Sequence, residues 1–292
     1  MSFPLALALV LAVAIPLQLV RARRLSPQFI ERWAREHGLT LTPENRPMVT
    51  LYLRKARLLR TWGGIAGAVL PSLVEYAVSG RVQVLGFGTD GNSAPLGFGT
   101  IFVGYLVGVL YAEISLARPV DGARRSASLQ RRELAAYLPR RIVASQRIAA
   151  VAGALGTLAI AVVPFADGMS NPGAASLVLA AAGVLASGAG LEAIERWLVR
   201  RPQPFTSASL LAADDAIRAQ SIHAAAGAGL ALLLLYCCGI ALGLAGSEVT
   251  ALHTVMGVAA AVLLVLSVLA CPGIGESSWH VRRARAAGTA SA

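Results

Sequence analysis

Long apolar stretches alternate along this chain with short polar ones. Seven of them, at 3–20, 61–79, 98–117, 148–166, 173–191, 224–245 and 252–270, are built largely from Ala, Leu, Val, Ile and Gly. Each is long enough to cross a hydrocarbon core as a helix, which takes about 17–25 residues. The pattern predicts an all-α fold, a polytopic membrane helical bundle of seven transmembrane helices. One N-terminal span would precede three helical hairpins, at 61–117, 148–191 and 224–270. The longest gap between spans, 21–60, is 40 residues, so no independent soluble domain fits. Residues 1–292 read as a single integral membrane domain with connectors 21–60, 118–147 and 192–223 and a tail 271–292.

The connectors carry signals of their own. Ser26 with Pro27 opens a short helix and Gly38 closes it, giving 27–37. Phe29, Ile30 and Trp33 share one side of it. That face predicts an amphipathic helix lying on anionic inner-leaflet lipids. Thr42-Pro43 starts a second helix, expected to run unbroken into 61–79. The later connectors resemble each other: Glu113, Arg118-Pro119 and Ser126-Ala127-Ser128-Leu129 match Glu195, Arg201-Pro202 and Ser207-Ala208-Ser209-Leu210, at offsets of 82, 83 and 81 residues. Arg60, Arg147 and His223 hold corresponding places ahead of the second, fourth and sixth spans. A Pro after Arg ends the incoming helix, and Ser caps the next.

Charge sets the expected orientation. Of the 26 Lys and Arg residues, 25 fall in 21–60, 118–147, 192–223 and the tail, and only Arg81 falls in the other gaps. Basic residues of short loops stay cytoplasmic, which predicts a multi-pass plasma-membrane protein with its N-terminus outside and its C-terminus inside. Met1-Ser2-Phe3-Pro4 lacks the basic n-region of a cleaved signal peptide, so the first span reads as a reverse signal-anchor. The composition agrees: 56% apolar, 14% charged, mean hydropathy +0.64, against about 25% charged in soluble domains. The net charge of +11 points to lipid headgroups rather than nucleic acid, because no basic stretch is interleaved with aromatics. Cys237, Cys238 and Cys271 form neither a CxxC nor a Cys/His zinc spacing; no metal or cofactor is expected.

Acids near the span ends are the candidate chemistry. Glu113, Glu192 and Glu195 fall at the inner ends of the third and fifth spans, and Glu75 near the outer end of the second. Within a membrane such groups serve ion or proton paths; near an interface they serve as clamps. Arg118, Arg196 and Arg201 are their expected partners, with Glu192 and Arg196 at the favourable i,i+4 spacing. Small-residue stripes (Gly63-Gly67, Gly104-Gly108-Ala112, Gly183-Ser187, Gly239-Gly243) fit close helix packing, with homo-oligomerisation as the lesser reading. Gly86-Phe87-Gly88-Thr89 and Gly97-Phe98-Gly99-Thr100 read as tight turns of an external loop.

Enzyme signatures are incomplete. Asp121-Gly122-Ala123-Arg124 lacks the other aspartates of the CDP-alcohol phosphotransferase signature, with Arg118 where one is needed. Ser187-Gly188 with His223 lacks the rhomboid glycine, Leu185 standing in its place. The expected function is a non-enzymatic, permease-like or accessory membrane subunit whose basic connectors dock a protein partner or the inner lipid surface. The alternative is a self-sufficient carrier or channel for a small solute or ion, and an intramembrane enzyme is a minor one.

Overall fold

The computed structural model describes residues 25–79, 96–116, 133–163, 173–201, 207–245 and 250–270. Among these the fold is 90% helical with no strand. The helices are α1 (Pro27–Glu36), α2 (Arg46–Ser79), α3 (Leu96–Leu116), α4 (Leu134–Tyr137), α5 (Arg140–Ala159, followed by a 3-10 turn at Ile160–Val162), α6 (Ala174–Arg200), α7 (Ala208–Ala245) and α8 (Thr250–Ala270). Four segments are long and apolar enough to cross a membrane: Arg140–Val162, Ala174–Arg200, Ala208–Ala245 and Ala251–Ala270; the apolar run Ile101–Leu116 is shorter. The expected first span at 3–20, the loop 80–95, Arg118, the Ser126–Leu129 cap, Cys271 and the tail lie outside the described residues.

The chain forms two compact units. One holds α1, α2, α3 and the start of α7, as far as Ile217; the other holds α4, α5, α6, α8 and the rest of α7 from Arg218.

In the first unit, local chemistry sets the helix ends. The Ser26 side chain accepts from the Phe29 N–H at 3.2 Å, Pro27 takes the first helical position, and Gly38 leaves α1 at φ +63°, a left-handed conformation that glycine adopts without strain. Thr42 and Asn45 then cap α2 reciprocally. Asn45 Oδ1 accepts from the Thr42 N–H at 2.9 Å, and Thr42 Oγ1 accepts from the Asn45 N–H at 3.2 Å. So α2 starts at Arg46 and runs 34 residues without a break.

The first turns of α2 are amphipathic. Val49, Tyr52, Leu53 and Ala56 point inward at helical spacing while Arg54, Lys55 and Arg57 point out. Ile30, Trp33 and Ala34 of α1 pack onto this stripe together with Ala213, Ala216 and Ile217 of α7. This corrects the lipid-surface assignment: Ile30 and Trp33 are buried in protein, and only Phe29 is exposed. The apolar stripe of α1 was legible, but its cover is another stripe of the same chain.

Beyond these turns, α2 and α3 meet through glycines. A Cβ on Gly63 would stand 2.6 Å from the Gly108 Cα, and one on Gly104 would stand 2.6 Å from the Gly67 Cα. Backbones this close leave no room for a side chain. In the second unit small residues work singly. A Cβ on Gly188 would stand 2.8 Å from the Ala150 Cβ, and Gly229 lies under Leu191. Cys238 donates to the Ala260 carbonyl at 3.3 Å and Ser267 to the Ala231 carbonyl at 2.8 Å, tying α8 to α7. A Cβ on Gly183, Gly239 or Gly243 would meet nothing within 4 Å, so these glycines make no close helix contact among the described residues.

Three helix boundaries differ from the hydropathy pattern. α7 is one helix of 38 residues, where a connector and a separate span at 224–245 were expected; no proline interrupts it. α5 begins at Arg140, directly after Pro139, not at 148. α3 begins at Leu96, which makes Gly97-Phe98-Gly99-Thr100 helical rather than a loop turn. Hydropathy marks where lipid is tolerated, whereas helices end at breakers and caps.

Candidate functional site

Buried polar groups mark the places where this apolar chain spends hydrogen bonds, and a buried glutamate anchors one such node in each unit. The first is Glu113, fully buried on the last turns of α3. Its Oε1 accepts from Arg60 at 2.9 Å and its Oε2 from the Tyr52 hydroxyl at 3.0 Å, both partners on α2. Arg60 comes eight residues after Tyr52, just over two helical turns, so both reach one carboxylate. The ion pair has its acid shut away from water and its arginine side chain 18% exposed. Arg118, the partner expected from sequence, lies outside the described residues.

The second node is Glu195 on α6, buried to 1% exposure. Gln146 of α5 donates from one amide nitrogen to Glu195 Oε1 at 2.7 Å and to the Ala226 carbonyl of α7 at 3.1 Å. One amide thereby ties three helices. Glu195 Oε2 has no hydrogen-bond partner among the described residues. The partner expected for Glu195 was Arg201; the carboxylate is met by Gln146 instead, because α6 turns it toward α5. Arg201 itself forms the C-cap of α6. Close by, Arg218 of α7 donates to the Val199 carbonyl at 2.9 Å, satisfying one of the last carbonyls of α6.

Glu192, one turn before Glu195, sits at the surface. It accepts from Arg147 at 2.5 and 3.2 Å and from Arg196 at 2.5 Å. Both arginine side chains are more than half exposed, so solvent screens this cluster. Glu75 lies on α2, and its side chain is outside the described residues.

A third polar contact joins the starts of α2 and α7. Asn45, fully buried, donates to the Thr40 carbonyl at 3.0 Å and the Ser209 carbonyl at 3.4 Å. Beside it the Ser209 hydroxyl donates to the exposed Glu44 carboxylate. Hydrogen bonds from Ser209 and Ser207 hold Glu44 below the usual carboxylate range.

Sequence reasoning found the two buried acids but missed Tyr52, Gln146, Asn45 and Arg218. Gln146 stands next to Arg147, where the repeat drew attention to the arginine. Tyr52 had one usable signal, its place in the i, i+3, i+4 stripe of α2.

What these nodes can do chemically is bind a proton or cation, or hold helices together. Among the described residues, no group of three or more His, Cys, Asp or Glu side chains could hold a metal ion. Ser187, a candidate nucleophile by motif, donates to the Gly183 carbonyl of its own helix at 2.8 Å. Compared with family models, with curated proteins and with solved structures, the chain matches none of them.

Proposed function

We propose that this chain is a seven-span plasma-membrane protein, N-terminus outside and C-terminus cytoplasmic, that acts as a non-enzymatic, permease-like or accessory subunit. It docks a protein partner through its basic connectors. The observation that carries this reading is the packed layer built by α1 and the first turns of α2. Its inner side buries Ile30, Trp33, Tyr52 and Leu53, and its outer side exposes Arg32, Arg35, Arg54, Lys55 and Arg57.

Linking two helices of a bundle needs about 2–8 residues. Ordering a longer connector costs roughly 1–2 kcal/mol per residue in backbone entropy, and here a private apolar core offsets it. A rigid basic face suits a partner with an acidic surface, since complementary charge steers the encounter. The partition of 25 basic residues against one supports the orientation, in which this face is cytoplasmic.

Two experiments test the reading. Reporter fusions after residues 40, 130, 210 and 285 should read cytoplasmic, and one near residue 90 external. An external signal at 40 would overturn the orientation of the first span. Crosslinking mass spectrometry on native membranes should then return a reproducible protein partner at 24–60, 118–147 or 196–222. Its absence would sink the subunit reading.

The second reading, a self-sufficient carrier or channel, rests on Glu195, whose Oε2 is buried and has no hydrogen-bond partner among the described residues. Glu113 favours it less, because Arg60 and Tyr52 occupy both its oxygens. Flux into liposomes that is lost in Glu195→Gln and kept in Glu113→Gln would select this reading; equal flux in both variants would remove it.

A further inference from the structure

In the second unit a groove of about 640 Å³ runs between α5, α7 and α8. Its α5 wall includes Ser145, Ala149, Ala152 and Gly156, small residues one turn apart, with Ile148 at one edge; leucines at 234, 263 and 266 on α7 and α8 also line it. Only Ser145 and Cys237 in this lining carry hydrogen-bonding side-chain groups, and the one donor of each is spent: Ser145 donates to the Arg141 carbonyl at 2.9 Å, Cys237 to the Ala149 carbonyl at 3.3 Å. A polar solute or ion entering here would leave water for no more than the lone pairs of one hydroxyl and one thiol, at a cost these do not offset. The occupant must therefore be apolar.

Length decides which apolar occupant fits. From Ser145 to Gly156 the α5 wall runs eleven residues, about 16 Å at the helical rise, and the α7 and α8 walls (230–244 and 256–270) run fourteen, about 21 Å. A helix from a partner protein would want the whole hydrocarbon core of about 30 Å. One leaflet is about half of that, the depth of a single acyl chain. Charge decides the headgroup. Arg141 lies one turn before Ser145 on the same face of α5, with Arg140 beside it. Both are exposed, and neither enters an ion pair among the described residues. Guanidinium groups match phosphate geometry, and cationic side chains at a membrane surface select anionic lipid.

We propose that this groove is a binding site for one anionic phospholipid. It seats an acyl chain between Ala152 of α5 and Leu263 of α8, with the lipid phosphate at Arg140 and Arg141. The site does not depend on the docking role above or on which side of the membrane is cytoplasmic.

Native mass spectrometry of the full-length protein, delipidated in detergent and given phosphatidylglycerol or phosphatidylcholine of equal chain length, tests it. The expected result is one retained phosphatidylglycerol per chain, bound at least about tenfold more tightly than phosphatidylcholine. Each methylene denied burial weakens binding by about fourfold, so Ala152→Phe, which fills the slot, should lower phosphatidylglycerol binding by about tenfold or more. Ala259→Phe fills it from the α8 wall and should do the same if the first variant fails to fold. Arg140→Gln with Arg141→Gln should abolish the headgroup preference while the chain still binds. Equal binding of the two lipids by the unaltered protein, or full binding by a folded groove-filling variant, would overturn the proposal. So would a dimer mass that Ala152→Phe dissolves, since a second copy would then be the occupant.

Discussion

In the α2–α3 hairpin a fully buried glutamate meets an arginine and a tyrosine; in the α5–α6 hairpin an equally buried glutamate meets a neutral amide. Arg147, which stands where Arg60 stands in the sequence repeat, turns instead to Glu192 at the surface. Glu113 precedes Arg118 by five residues and Glu195 precedes Arg201 by six. One residue on a helix is a rotation of about 100°, so the two acids do not share a register with the arginines that follow them. The lesson is that repeated residue types do not guarantee repeated contacts. Glu113 has its burial offset by a counter-charge, whereas Glu195 receives one dipolar hydrogen bond, which compensates a buried charge less fully.

The comparison breaks first at the two arginines. Arg60→Ala would strand a buried carboxylate, and losing one partner of a buried pair costs about 3–5 kcal/mol. Arg147→Ala removes an exposed partner and should cost about 0.2–1 kcal/mol. Thermal or denaturant unfolding in detergent would show the difference. Equal losses would mean that the two pairs are equally buried and that the contrast drawn here is wrong.

The glycines give opposite signs. Gly104→Ala drives a methyl into the Gly67 backbone of α2, and should destabilise by about 1–3 kcal/mol. Gly183→Ala meets open space and should stabilise by about 0.5–1 kcal/mol through helix propensity. Melting temperatures of the two variants check this directly, and a Gly104→Ala variant as stable as the parent would refute the close approach of α2 and α3.

Gln146→Leu sharpens the second half of the comparison. It keeps the volume but leaves the buried Glu195 without its hydrogen-bond donor, a loss of about 1–3 kcal/mol. Adding Glu195→Leu should recover part of that loss, because an apolar pair of similar shape leaves no buried polar side chain unsatisfied. A double variant as unstable as the sum of the singles would show that the two side chains do not interact.

The smallest effect is at Glu44, where the acid is exposed and held by serine hydroxyls. Its pKa in the folded chain is lowered, so its contribution is present above the unfolded carboxylate value, about pH 4.3. It is lost as pH falls through the lower folded value. Ser209→Ala should flatten the melting curve's dependence on pH below about 4.5 and leave it unchanged near neutrality. An unaltered acid limb would place the hydrogen bond elsewhere.

The amino-acid sequence by itself determined the helical class, the apolar segments and the local punctuation. Ser26, Pro27 and Gly38 act through the dihedrals and hydrogen bonds of their immediate neighbours, and Leu- and Val-rich runs declare their solvent without reference to any partner. The buried acids were legible for a similar reason, since a carboxylate inside an apolar run stands out against its own surroundings. Their partners were not, because Arg60, Tyr52 and Gln146 reach Glu113 and Glu195 only across a helix packing whose rotation no spacing along one strand of sequence encodes. The α1 stripe shows the same boundary. Its apolar residues could be read, yet lipid and protein cover such a face equally well, and the tertiary structure chose protein by bringing up the matching stripe of α2. Contacts over 50 residues or more depend on how close two backbones can approach, and here that distance is set by Gly63, Gly104 and Gly108 acting together.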